Sequence, residues 1–150
     1  MKSLNPTQRF TRFINYNSKF KPNGDVRPKA FLPSKKERSK NPCYISVFLT
    51  ENMVEHDIIE LGRKNTEPKL VGRAHLDARK VMKNTQLTIT INNISTGHAN
   101  LGPFPKFPSD RETKEIELHL ASQLAKISNS KKGNTKKYAI QHLKTGRQRP

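Results

Sequence analysis

Charge sits at the two ends of this 150-residue chain and not in its middle. Residues 1–43 hold 11 basic and 2 acidic residues, residues 129–150 hold 7 basic and none acidic, and residues 44–128 hold 11 and 10. Basic ends of this kind repel each other and bury too little apolar surface to fold alone. The near-neutral middle is the part with the composition of a packed core. The expectation is a small single α+β domain at 44–128, flanked by two basic extended arms, 1–43 and 129–150. The length suits one domain. A net charge of +17 then asks for a polyanion to relieve it, and nucleic acid is the commonest in a cell.

Composition excludes several other classes. A single cysteine, Cys43, cannot form an internal bridge, which argues against a disulfide-stapled secreted fold. No apolar run approaches the ~18 residues of a membrane span, and the opening Met-Lys-Ser-Leu-Asn-Pro has no apolar core of a secretory signal. A cytoplasmic location and no membrane partner are therefore expected. The chain has no phosphate-binding glycine loop, no dinucleotide fingerprint, no His-Glu-x-x-His and no nucleophile elbow. No cofactor is implied.

Three strands and two to three helices are legible. Residues 44–50 are β-branched and aromatic, 69–76 read as a second strand, and 86–92 alternate apolar and polar with Leu87, Ile89 and Ile91 inward. Asn52 with Glu55 makes a capping box for a helix that Gly62 would end. Asp77 would cap a short helix over 78–83. Ser109 with Glu112 opens a longer helix whose Ile116, Leu120, Leu124 and Ile127 share one face. Pro22-Asn23-Gly24-Asp25 reads as a turn, and 35–40 as an exposed, mobile loop.

Two segments concentrate chemistry-bearing side chains. The first, 95–103, reads as a glycine-containing loop presenting His98 and Asn100. His98 has the reference pKa of an acid–base group, and Asn100 could orient it or read a base edge. The second is the strand end Gly72–Asp77, where Arg73, His75 and Asp77 fall on one face and Arg73 has the fork geometry for a phosphate. His75 and Asp77 have no further ligands at diagnostic spacing, so no metal is expected. In both segments the alternative is a structural turn or an exposed strand face.

Basic residues interleaved with aromatics are the stronger signal. Arg9, Arg12, Lys19, Lys21 and Arg27 alternate with Phe10, Phe13, Tyr16 and Phe20, pairing charges for phosphates with flat faces for unpaired bases. Lys35, Lys36 and Arg38 follow. Lys131, Lys132, Lys136, Lys137, Arg147 and Arg149 form an acid-free tail, with Tyr138, Ile140 and Leu143 placed to fold into a short helix on binding. The competing reading is that Phe10 and Phe13 anchor the arm to the core while the charges face water.

The order of Gly72-Arg73-Ala74, an alternating strand and His98-Ala99-Asn100, with Ser46-Val47-Phe48 and Ile58-Ile59-Glu60-Leu61-Gly62 before them, resembles a pattern in small bacterial proteins over residues 28–125. That resemblance implies no reaction. It implies that Arg73, His98 and Asn100 belong to one site.

The expected function is nucleic-acid binding, RNA before DNA, because extended aromatic-containing arms suit single strands and irregular folds. A small accessory subunit of a ribonucleoprotein, or of a mobile-element or defence complex with further protein subunits, would use such ends. The alternative is an enzyme on a phosphate substrate, such as a metal-independent nuclease with His98 as acid–base group and Arg73 on the phosphate.

Overall fold

The computed structural model describes residues 8–105 and 110–133. Its centre is a fully antiparallel six-stranded sheet in the order β4-β5-β2-β1-β3-β6. The strands are β1 Arg9–Ile14, β2 Cys43–Leu49, β3 Gly72–Asp77, β4 Thr88–Asn93, β5 His98–Phe104 and β6 Asn129–Lys132. Among the described residues the α-helices are α1 Lys35–Arg38, α2 Glu55–Asn65, α3 Ala78–Asn84 and α4 Arg111–Ile127, with 3-10 turns at Asn17–Lys19 and Pro28–Phe31. No helix among these residues is long and apolar enough to cross a membrane.

The class is α+β, but the expected count of about three strands is wrong, residues 9–43 are not an extended arm outside the core, and 129–132 belong to the sheet, while 134–150 lie outside the described residues. β1 comes from the supposed N-terminal arm and lies inside the sheet, between β2 and β3. Its apolar alternation is broken because Arg12 stands between Phe10 and Ile14 on the core-facing side and is itself buried. β5 comes from the segment read as a loop. Its Ala99 and Leu101 alternate inward, while Gly97, Gly102 and Pro103 give that stretch the composition of a turn. β6, Asn-Ser-Lys-Lys, has no apolar residue and pairs with β3 at the sheet edge through its backbone. Backbone pairing at an edge needs no side-chain pattern.

One face of the sheet holds the main core. Phe10, Ile14, Ile45, Val47, Ala74, Leu76, Ile89, Ile91, Ala99 and Leu101 meet Ala30, Phe31, Ala121 and Leu124, and α4 packs on the Pro28–Phe31 turn. α4 starts one residue later than its sequence suggests, with the Asp110 carboxylate accepting from the Thr113 N–H at 2.8 Å. Its inward positions are Glu117, Ala121 and Leu124, and Ile116 is half exposed. The helix can turn Glu117 inward because Arg38 pairs with it at 2.6 Å.

The helix expected from Asn52 starts at Glu55 and runs through Gly62 to Asn65. Asn52 sits in a left-handed conformation (φ 68°) outside it. Gly62 is there for contact: a Cβ on it would lie 2.7 Å from the Phe13 ring. Through this approach α2 covers the opposite face of the sheet at Phe13, with Ile59 and Leu70 packed beside it. Residues 35–38, expected in a mobile loop, form one helical turn closed by a reciprocal capping box between Ser34 and Glu37.

Candidate nucleic-acid interface on the open face of the sheet

Strand alternation sends the residues between the core positions to the other face. There, Tyr44, Ser46 and Phe48 of β2 run beside His98, Asn100 and Gly102 of β5, which run beside Thr88, Thr90 and Asn92 of β4. Thr88 and Asn92 are exposed, and Tyr44, Ser46, Thr90, His98 and Asn100 are half-buried. Ser46 stands opposite Asn100, and Asn100 opposite Thr90. The Tyr44 ring packs against Gly102, where a Cβ would sit 2.9 Å from ring carbon Cδ1. Among the described residues the side chains of Asn100 and Thr90 make no hydrogen bond.

His98 is the ordered centre of this patch. Its Nδ1 lies 2.5 Å from Asn92 Oδ1 and its Nε2 lies 2.9 Å from Ser46 Oγ. An amide oxygen can only accept, so Nδ1 carries the proton, and the bare Nε2 accepts from the Ser46 hydroxyl. The Phe48 ring meets the imidazole edge-on at 5.3 Å. Burial lowers the His98 pKa, the Lys40 charge lowers it further, and Glu37 opposes the shift. The ring is neutral at pH 7. The turn leading into it is built by Asn93, whose Oδ1 accepts from Ser95 N and Thr96 N, and by Gly97 at φ +77°.

A second polar chain crosses β3 and β1. Arg73 Nε donates to His75 Nε2 at 3.3 Å, so His75 carries its proton on Nδ1 and donates it to Thr11 Oγ1 at 2.9 Å. Thr11 in turn lies 2.7 Å from the Thr50 hydroxyl. Burial lowers the His75 pKa to about 4, with the Arg73, Arg9 and Lys131 charges adding to the effect and Asp77 opposing it. The Arg73 guanidinium is buried and bound to Glu55 at 3.1 Å, and Lys131 reaches the same carboxylate at 2.9 Å.

The structure separates the residues that the sequence grouped. His98, Phe48, Thr11 and His75 lie in one row across β5, β2, β1 and β3. Arg73 is on β3, three strand spacings from β5, or ~14 Å at about 4.8 Å each. Arg73 therefore does not share a contact site with His98 and Asn100. Other residues read as phosphate contacts hold the fold instead. Arg12 is buried, bound to Glu37 at 2.8 Å and donating to the carbonyls of Ala30 and Ser46. Arg38 pairs with Glu117, Arg27 Nε donates to the Phe20 carbonyl, and Lys19 Nζ donates to Asn15. Burial, with Arg12 nearby, lowers the Lys19 pKa. Arg9, Lys21, Lys35, Lys36 and Lys132 are exposed. Lys136, Lys137, Arg147 and Arg149, and the helix expected near Tyr138, lie outside the described residues.

Sequence reasoning missed Tyr44, Ser46, Thr90 and Asn92. The alternation Tyr44-Ile45-Ser46-Val47-Phe48 was the available signal, since it puts Ser46 and Tyr44 opposite Ile45 and Val47. Reading 44–50 only as a β-branched and aromatic strand, without its alternation, hid it. Among the described residues no group of three or more His, Cys, Asp or Glu could hold a metal ion. No family model matches the chain, and no curated protein or solved structure matches it.

Proposed function

We propose that this protein binds single-stranded nucleic acid, RNA in preference to DNA, across the β4-β5-β2 end of the open sheet face. The observation that carries the reading is the half-buried Tyr44 ring in contact with Gly102, on the same face as the uncommitted side chains of Asn100 and Thr90. An aromatic side chain on the surface of a sheet gives an unpaired base a place to stack, and a neighbouring amide can meet a base edge. The cations that serve the phosphates are the exposed ones. Lys35 and Lys36 project from α1, which packs on β2, and Lys40 is close enough to act on His98. Arg12, Arg38 and Arg73 have no part in it, since Glu37, Glu117 and Glu55 hold them. Service as a small subunit of a ribonucleoprotein or a mobile-element or defence complex suits a chain with so much unpaired positive charge.

The test is fluorescence anisotropy with a labelled mixed-sequence RNA of ~12 nucleotides, titrated at several salt concentrations. Log affinity should fall with log salt at about −0.7 per phosphate contact for a single strand. Replacing Tyr44 by Ala should cost about 1–3 kcal/mol of affinity and leave the salt slope unchanged. Affinity indifferent to Tyr44 overturns the placement on the sheet face, and absence of any salt-dependent binding overturns the function.

A further inference from the structure

The same patch of the open face carries a second arrangement, which shares Asn100 with the proposed nucleic-acid site but does not rest on nucleic-acid binding. Ser46 Oγ, His98 Nε2, His98 Nδ1 and Asn92 Oδ1 form one continuous hydrogen-bonded line, 2.9 Å at the first link and 2.5 Å at the last. We propose that Ser46 is a nucleophile, activated by His98 as general base and positioned through Asn92, that acts on carboxylic esters.

Four features support this chemistry. A base must be neutral to take a proton, and Nε2 is the bare nitrogen of a ring that burial keeps uncharged. The ring is fixed on two sides, by Asn92 at Nδ1 and by the Phe48 edge at 5.3 Å. The serine backbone is fixed as well: its N–H donates to Glu37 Oε2 at 2.8 Å and its carbonyl accepts from Arg12 at 3.0 Å. Finally, Asn100 stands opposite Ser46 in the β2–β5 register, with its Cβ about 5 Å away and its amide uncommitted. An amide N–H on that neighbouring residue is within reach of the oxygen on which charge develops when Ser46 attacks a carbonyl.

The steps balance without a co-reactant other than water. The Ser46 hydroxyl proton passes to His98 Nε2 as Oγ bonds to the carbonyl carbon, and the carbonyl oxygen becomes an oxyanion facing Asn100. Collapse breaks the bond to the alcohol, which leaves with the proton from His98. Water then attacks the acyl-serine, giving its proton to His98, and Ser46 recovers that proton as the acid departs. An ester is favoured over a phosphodiester by the surroundings. Asn92, Asn100 and Thr90 are neutral and the nearby guanidinium of Arg12 is committed to Glu37, so among the described residues the exposed Lys40 is the cation that acts on His98. A single ammonium is not the clamp of several cations that a phosphoryl transition state calls for.

The test treats the full-length protein with p-nitrophenyl acetate, without nucleic acid, and follows p-nitrophenol release and intact mass. One acetyl group per chain should appear, mapped by peptide sequencing to Ser46, with a burst of p-nitrophenol of matching size. Ser46→Ala and His98→Gln should each remove the adduct while keeping the wild-type amide NMR fingerprint elsewhere. Asn92→Asp should shift the pH at which the burst rate is half-maximal upward, because a carboxylate beside Nδ1 stabilises the protonated ring; a purely structural Asn92 would not move that profile. Wild-type protein that acquires no acetyl group at Ser46, or acquires it equally in His98→Gln, overturns the proposal whatever the variants' stability.

Discussion

Arg12 and Glu37 form an ion pair in the gap where β1 and β2 part. The two strands pair only at Phe10–Leu49 and Thr11–Phe48, and beyond that point Ser46, paired with Asn100 on its other side, has no partner on β1. The pair replaces the missing ladder: Glu37 accepts from the Ser46 N–H at 2.8 Å, and Arg12 donates to the Ser46 carbonyl at 3.0 Å. Glu37 also accepts from the Ser34 N–H at 2.8 Å, so one carboxylate ties α1, β1 and β2 together.

Removing one partner leaves the other buried and unpaired. Glu37→Gln or Arg12→Ala should each lower the unfolding free energy by about 3–5 kcal/mol, read from urea denaturation. Burial opposes ionisation of Glu37, but the Arg12 charge and hydrogen bond, with the Ser34 and Ser46 N–H groups, outweigh it and lower its pKa. Its contribution is therefore present above the unfolded carboxylate pKa and is lost as pH falls through the lower folded value. An Arg12 variant of unchanged stability would return this residue to the role of a phosphate contact.

His75 should stay neutral well into the acid range. With a folded pKa of about 4 against an unfolded value near 6.5, the unfolded chain binds the extra proton between those pH values. Stability should therefore rise with pH across that interval. Imidazole carbon–proton NMR shifts should show His75 unmoved at pH 6 in its Nδ1–H form. A titration midpoint near 6.5 would contradict the chain from Arg73 to Thr50.

Gly62→Ala should destabilise the protein by about 1–2 kcal/mol. The new methyl would meet Phe13 at 2.7 Å and Leu70 at 3.0 Å, a clash that exceeds the helix-propensity gain of about 1 kcal/mol. A melting temperature at or above that of the parent would mean that α2 lifts off the sheet freely.

Where the chain is trimmed should separate fold from binding. Deleting 134–150 removes Lys136, Lys137, Lys144, Arg147 and Arg149; the melting temperature should hold while the RNA salt slope weakens by up to about 0.7 per residue removed. Deleting from 129 also removes β6 and the Lys131–Glu55 pair, and the melting temperature should fall. Equal melting temperatures for the two truncations would deny β6 a structural part.

The sequence alone determined what is written in local periods and in total charge. The strands read over 44–50, 69–76 and 86–92 form at Cys43–Leu49, Gly72–Asp77 and Thr88–Asn93, and with the helix capped by Asp110 and the turn at Gly24 (φ +94°) they follow from β-rich composition, a cap and a left-handed glycine, each set by neighbours a few residues apart. The short helix after Asp77 forms without the expected cap bond from the Asp77 side chain. The surplus of positive charge is likewise a sum that no folding changes. Tertiary structure decided which of those charges are available. Arg12, Arg38 and Arg73 find their carboxylates at Glu37, Glu117 and Glu55, partners 18 to 79 residues away in the chain, and no local pattern distinguishes a basic residue with such a partner from one without. The same holds for the open face. Tyr44, Ser46, His98, Asn100 and Asn92 meet only because β5 returns beside both β2 and β4, and strand register is a property of the assembled sheet that the separate segments do not carry.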